Sequence, residues 1–166
     1  TLTLGVCNGC QMLSQLKDLI PGAGLWPGFV KNESEQFEAR FSQVHVLRSN
    51  SVVLSDMVGS LLPIVVSHGE GRVDADEERL ARLREAGLTA MAFTDQQRAP
   101  ATRYPMNPNG SPGGLTAVTS DDGRALAMMP HPERAFRSIQ WSWRPDGLGE
   151  YSPWFALFLS AAKQFN

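Results

Sequence analysis

Short apolar runs separated by turn residues indicate β-strands along the whole chain. The stretch from Gln36 to Leu47 is roughly alternating, with Phe37, Ala39 and Phe41 predicted to face the core of one or two strands. Two runs on either side of Ser-Asp-Asp-Gly are typical of a hairpin. The remaining predicted strands and the two hairpin strands lie at residues 2–6, 63–68, 88–94, 115–119 and 124–129.

Three segments have the spacing of helices. Gln11 to Ile20 places Met12, Leu13, Leu16 and Leu19 on one apolar face. Residues 75–86 are typical of a solvated surface helix, and residues 154–165 are apolar almost all round, which predicts a buried terminal helix. Interleaved strands and helices favour an α/β layer architecture with a largely parallel sheet.

Composition narrows the class of protein. With 166 residues, 42% of them hydrophobic, the chain can form one core and a single domain. A net charge of -2 argues against nucleic acid or an anionic membrane as a partner, and no apolar run approaches the ~20 residues of a membrane span. The cytosol is the default compartment, and two cysteines cannot form a disulfide framework or a four-thiolate zinc site.

The two cysteines, Cys7 and Cys10, follow the first predicted strand and allow four interpretations. They could be a redox pair at the start of a helix, half of a zinc site, or two small buried hydrophobes. In the fourth interpretation one cysteine is a nucleophile and the other has no chemical role. Zinc is disfavoured because the three histidines form no paired motif. In Gly5-x-Cys7-x-Gly9 the glycines have the spacing of a nucleophile elbow, where a Cβ on either side is expected to collide with backbone.

The elbow separates the roles of the two thiols. Cys7 would project into a site at a helix N-terminus with the Asn8 N–H as an oxyanion donor, whereas Cys10 would pack against the sheet. A nucleophile needs a base, and His131 lies between two prolines that favour an extended backbone. Glu133 can accept a hydrogen bond from its imidazole, so the predicted catalytic residues are Cys7, His131 and Glu133.

These motifs resemble the class I (triad) glutamine amidotransferases. Within that family, the likeness extends to the glutaminase part of large-form phosphoribosylformylglycinamidine synthases. The motifs that carry it, besides residues 5–11 and 131–133, are residues 19–22, 26–32, 37–41, 67–72, 104–111, 129–134 and 143–154. The resemblance implies a flavodoxin-like sheet with flanking helices and glutamine hydrolysis through a cysteine thioester. The ammonia would serve conversion of formylglycinamide ribonucleotide to the amidine in de novo purine synthesis.

The resemblance also implies the binding residues, partners and cofactors. Contacts to the glutamine α-amino and α-carboxylate groups are expected from Gln11 and from the turn Ser67, His68, Gly69 and Glu70. The expected partners are L-glutamine and a synthetase region of the same enzyme, which would hold ATP and magnesium; no metal or cofactor is expected in residues 1–166. Residues 37–41 are expected to be a core strand, with Arg40 free to face a partner domain, and the loop at 107–114 to cap the site or contact the synthetase.

The sequence starts directly in an apolar strand, which suggests an N-terminally incomplete domain of a larger chain. The family supplies part of its oxyanion hole from a loop before the nucleophile strand, and losing such a donor typically costs about 10²–10³ in rate. Two alternatives to an active glutaminase are therefore an inert docking module with the same fold and a Cys-x-x-Cys redox module.

Overall fold

The computed structural model describes residues 1–165 and contains eight strands and three α-helices. In chain order they are β1 (Thr3–Val6), α1 (Asn8–Gln15), β2 (Gly28–Val30), β3 (Glu38–Val46), β4 (Leu61–His68), β5 (Arg72–Asp74), α2 (Glu77–Glu85), β6 (Thr89–Phe93), β7 (Leu115–Thr119), β8 (Ala125–Met128) and α3 (Phe155–Lys163).

Six strands form one sheet in the order β1-β8-β7-β6-β3-β4, and β2 pairs with β5 in a small second sheet. The α/β class with flanking helices is confirmed, but the expectation of a largely parallel sheet is wrong. Only β1 and β8 run parallel, while the other four pairs in the large sheet are antiparallel. Loops, including the predicted hairpin turn between β7 and β8, connect most neighbours, and such connections favour antiparallel pairing.

Two apolar clusters cover opposite faces of the sheet. In β8, Leu126 and Met128 belong to one cluster and Ala125 and Ala127 to the other, as the two-residue period of a strand requires. The first cluster is covered by α3 through Leu157, and the second by α1 and α2. The sheet is therefore a central layer between helices.

The orientation of α1 differs from the prediction. The helix ends at Gln15 and continues as a 3₁₀ turn over Lys17–Leu19, and its buried residues are Cys10, Leu13 and Ser14. Met12, Leu16 and Leu19 are 55%, 43% and 78% exposed. Cys10, Leu13 and Ser14 form the packed face of α1, so of the four residues predicted for that face only Leu13 lies on it.

Two other predictions of burial are also corrected. In β3 the inward residues are Glu38, Ser42, Val44 and Val46, so Phe41 points outward and Phe37 precedes the strand, 65% exposed. One face of α3 is buried, whereas Leu159 is 48% exposed. In β3 the even-numbered residues face inward, so Phe37, Ala39 and Phe41 lie on the opposite side from Val44 and Val46.

Candidate active site

Cys7 lies at the turn between β1 and α1 with φ 53° and ψ −112°. A positive φ is uncommon for a residue with a side chain and marks a strained turn, whose cost is of order 1–3 kcal/mol. The turn is held by the Cys7 N–H, which donates to the Met128 carbonyl (3.0 Å), and by the Cys7 carbonyl, which accepts from the Gln11 N–H (3.1 Å). The predicted elbow is therefore present in the backbone.

The two glycines of the elbow differ in their surroundings. A Cβ on Gly5 would lie 2.5 Å from Leu13 Cδ1 and 2.7 Å from the Gly9 carbonyl oxygen. A Cβ on Gly9 would meet nothing within 4 Å, so the expected collision there is wrong. Only Gly5 is needed for the close approach of β1 and α1, because Gly9 projects from the exposed side of the first helical turn.

His131 lies three residues after the end of β8, which pairs with β1, and is therefore close to the end of β1. Its backbone is extended (φ −105°, ψ 92°), as the flanking prolines predict, and its N–H donates to the Val65 carbonyl of β4 (2.8 Å). The ring is buried, and Nδ1 is 2.6 Å from Glu133 Oε1. Because a carboxylate accepts, Nδ1 carries a proton; Nε2 is buried and has no hydrogen-bond partner within residues 1–165.

Cys7 and His131 each shift the pKa of the other. The interaction with His131 is the main reason that the pKa of Cys7 lies below its ordinary value, and burial opposes it. The same interaction raises the pKa of His131, and the Glu133 carboxylate raises it further. The Cys7 thiol itself points to the Ser67 carbonyl (Sγ to O 3.7 Å), so its hydrogen bond to Nε2 is not formed in this geometry and the pKa shifts reflect proximity.

Cys10 has the opposite character. It lies on the buried face of α1 and is fully buried, and burial raises its pKa well above that of an ordinary thiol. Thiols of this kind are inert. The packing role predicted for Cys10 is confirmed.

A cleft of about 540 Å³ opens in front of Cys7. It brings together every predicted site residue except Glu133, which lies behind His131: the lining includes Cys7, Asn8, Gln11, Ser67, His68, Gly69, Glu70 and His131. Two hydrogen bonds join side chains of the lining. Gln11 Nε2 donates to Glu70 Oε2 (3.2 Å), and Arg134 Nη1 donates to Ser67 Oγ (3.2 Å). The cleft thus carries one acidic and one basic side chain, which matches the two charges of a free amino acid.

Three lining residues were not predicted from the sequence, namely Val6, Phe37 and Arg134. The alternation of residues 37–41 predicts a core position for Phe37. In the structure β3 begins one residue later, at Glu38, and Phe37 is exposed. Arg134 follows Glu133 in the same 3₁₀ turn, and its Nε lies 3.6 Å from Glu133 Oε1. That adjacency to a predicted catalytic carboxylate is the signal that could have found it.

Other predicted contacts lie away from the cleft. Arg40 binds Glu38 and Tyr104 within its own protein, and the loop at 107–114 packs behind the Ser67–Glu70 turn through the buried Asn109. Residues 1–165 contain no group of three or more His, Cys, Asp or Glu side chains able to hold a metal. Within the same residues, no helix combines the length and apolar character of a membrane span.

An elbow cysteine with an imidazole and a carboxylate behind it, at the ends of strands in an α/β sheet, is an arrangement typical of cysteine-dependent hydrolases and amidotransferases. Residues 1–165 match the CobB/CobQ-like glutamine amidotransferase domain. The chain belongs to this family of amidotransferases.

Solved structures show the same fold. The structure of PurLQS from Thermotoga maritima aligns with a TM-score of 0.68 at 21% identity, over 99% of this chain and 62% of that chain. A protein from Thermoplasma acidophilum that is assigned to GMP synthase aligns with a TM-score of 0.52 at 12% identity, over 98% of this chain and 58% of that chain. This chain therefore spans about three fifths of the length of either structure.

Proposed function

We propose that this chain hydrolyses glutamine and supplies the ammonia for conversion of formylglycinamide ribonucleotide to its amidine, a cytosolic step of de novo purine synthesis. The observation that carries the glutaminase assignment is the placement of Cys7 on a strained elbow beside the His131–Glu133 pair. The purine assignment is supported by the sequence motifs and by the fold shared with PurLQS.

In the proposed reaction, His131 Nε2 takes the thiol proton and Cys7 Sγ attacks the side-chain amide carbon of glutamine. The Asn8 N–H donates to the oxygen that gains negative charge. Nε2 then returns the proton to the amide nitrogen, the C–N bond breaks, and ammonia leaves a γ-glutamyl thioester. Water, deprotonated by Nε2, attacks the thioester carbon, and the thiolate departs to give glutamate.

The cleft supports glutamine as the substrate. Glu70 offers a carboxylate to the α-ammonium group, with Gln11 hydrogen-bonded beside it. Ser67, Gly69 and Arg134 offer donors to the α-carboxylate. The ammonia would pass to a synthetase region that binds ATP and magnesium.

The burial of Cys10 disfavours the redox alternative. A dithiol couple needs an accessible second thiolate, whereas Cys10 is fully buried and its pKa is raised. Both cysteines are free thiols in the structure.

The test compares the two thiols in the whole protein that contains residues 1–166. Cys7→Ala is expected to lower the rate of glutamine hydrolysis by at least about 10³-fold, since the nucleophile is lost. Cys10→Ala is the matched control and is expected to retain the rate within about threefold, because it removes one buried sulfur. The electrophile 6-diazo-5-oxonorleucine is expected to label Cys7 alone; equal labelling of both thiols, or equal loss of activity, would contradict the assignment.

A further inference from the structure

The turn of residues 67–71, which forms one wall of the cleft, is held from behind by a buried asparagine, Asn32. This side chain is 2% exposed. Its Nδ2 donates to the His68 carbonyl (2.8 Å), and its Oδ1 accepts from the Gly71 N–H (2.9 Å). The backbone N–H of Asn32 also donates to the Gly69 carbonyl (2.9 Å). Asn32 thus holds the turn at three backbone groups, namely the carbonyls of His68 and Gly69 and the N–H of Gly71.

A second buried asparagine, Asn109, holds the same turn from the long loop between β6 and β7. It is fully buried, and its Nδ2 donates to the Gly71 carbonyl (2.8 Å) and to His68 Nε2 (3.2 Å). Its Oδ1 accepts from the Ser111 N–H (3.1 Å), which fixes the orientation of the amide. Because Nδ2 is a donor, the His68 nitrogen that it contacts must be an acceptor.

The ring of His68 is part of this unit. It is 3% exposed, and a Cβ on Gly71 would lie 2.2 Å from its Nε2, so the ring packs directly on the turn. Burial lowers the pKa of His68 to about 4, which keeps the ring neutral and able to accept from Asn109 at neutral pH. His68 is therefore one of the residues that line the cleft, and its imidazole is hydrogen-bonded to Asn109.

The consequence for the cleft lies at Gly69 and Glu70. Both line the cleft, and their backbone N–H groups take no part in the hydrogen bonds found within residues 1–165. Adjacent free N–H groups in a turn form a concave binding site for an anion. The asparagines bond the His68, Gly69 and Gly71 carbonyls and the Gly71 N–H, so the Gly69 and Glu70 N–H groups remain as donors for a ligand.

We infer that Asn32 and Asn109 are positioning residues that preform the turn at 67–71 for the carboxylate of an amino-acid substrate. The inference rests on the proposed glutaminase function. It adds two residues that do not line the cleft and that act through the backbone of the turn and the ring of His68.

Asn109→Asp tests the inference in the whole protein, because it replaces the donor facing His68 Nε2 and the Gly71 carbonyl with an acceptor. The KM for glutamine is expected to rise by at least about tenfold, as loss of one or two hydrogen bonds predicts, with kcat changed by less than about threefold. Alkylation of Cys7 by iodoacetamide, which has no amino-acid carboxylate, is expected to keep its rate. Inactivation by 6-diazo-5-oxonorleucine is expected to slow in proportion to the rise in KM.

Asn107→Ala is the matched control. Asn107 is a buried asparagine of the same loop, but its side chain bonds Ala101, Ser111 and Gly110 and not the turn. The KM of the Asn107→Ala variant for glutamine is expected to stay within about twofold of the value for the unsubstituted protein, even if the variant is less stable. Asn109→Ser removes the same donor without adding charge and serves if the aspartate variant does not fold.

The outcomes separate the two proposals. An unchanged KM in the folded Asn109 variants, or an equal rise in Asn107→Ala, would overturn the positioning role. Parallel loss of iodoacetamide reactivity would also overturn it, because the effect would then reach the thiol. Absence of glutamine hydrolysis and of Cys7 labelling in the unsubstituted protein would instead refute the glutaminase function.

Discussion

At the scale of single residues, two thiols three positions apart have opposite chemistry. Cys7 lies at a helix N-terminus beside an imidazole, and the proximity of His131, the Asn8 N–H and the Arg134 charge lower its pKa. Cys10 is one helical turn away, fully buried, and its pKa is raised. Position in the fold, rather than residue type, decides which sulfur is nucleophilic.

Alkylation by iodoacetamide as a function of pH measures this difference. The rate at Cys7 is expected to rise with pH through a midpoint below that of an ordinary cysteine, because the thiolate reacts and its pKa is lowered. His131→Gln should move the midpoint upward, since it removes the largest stabilising influence on the thiolate. Cys10 should react only when the protein is unfolded; a midpoint unaffected by His131→Gln would contradict the coupling.

At the scale of elements, the elbow is built from a strand and a helix that nearly touch. Gly5 in β1 contacts Leu13 and the Gly9 carbonyl of α1, whereas a Cβ on Gly9 would point into open space. The sequence motif predicts that neither glycine can carry a side chain. In the structure this holds only for Gly5.

Substitution of the two glycines tests this asymmetry. Gly5→Ala is expected to lower the free energy of unfolding by about 1–3 kcal/mol, as overpacking does, and to slow Cys7 alkylation because the turn must shift. Gly9→Ala should leave both unchanged or raise stability by up to about 1 kcal/mol through helix propensity. Urea unfolding and labelling rates give the two readouts, and equal effects of both substitutions would argue against the contact.

The sequence predicted the geometry of the candidate site better than the packing of the elements around it. Glycine spacing, prolines and a nearby carboxylate are local signals, and the structure brings Cys7, His131 and Glu133 together as these signals predict. The outward face of α1 and the exposed Phe37 escaped prediction because periodicity marks an apolar face without showing whether another layer covers it. The contacts of Asn32 and Asn109 with the turn carry no local signal, since His68 and Gly71 lie 36 to 41 positions away from them in the chain.

At the scale of the whole molecule, a neutral histidine is built into the interior. The pKa of His68 is lowered to about 4 by burial and by the nearby His131. Between pH 6.5 and about 4 the unfolded chain therefore binds a proton that the folded protein does not, and stability falls as the pH decreases through this range.

Urea unfolding at pH 7 and pH 4.5 measures this contribution. The loss of stability attributable to His68 is expected to be at most about 3 kcal/mol. His68→Gln, which keeps an acceptor for Asn109, should reduce the pH dependence of the free energy of unfolding. His45→Gln, at the half-buried histidine of β3, is the matched control; an equal reduction of the pH dependence in both variants would contradict the assignment to His68.

The single parallel pair of the sheet, β1 with β8, has a consequence for folding kinetics. Thr3 pairs with Ala125, so this pairing closes a chain segment of about 120 residues. Contacts between residues so distant in sequence cost more loop-closure entropy than local hairpins do, and they form slowly. During synthesis, β1 and Cys7 leave the ribosome long before β8, and His131, whose imidazole lowers the pKa of the thiol, follows only after the last strand of the sheet.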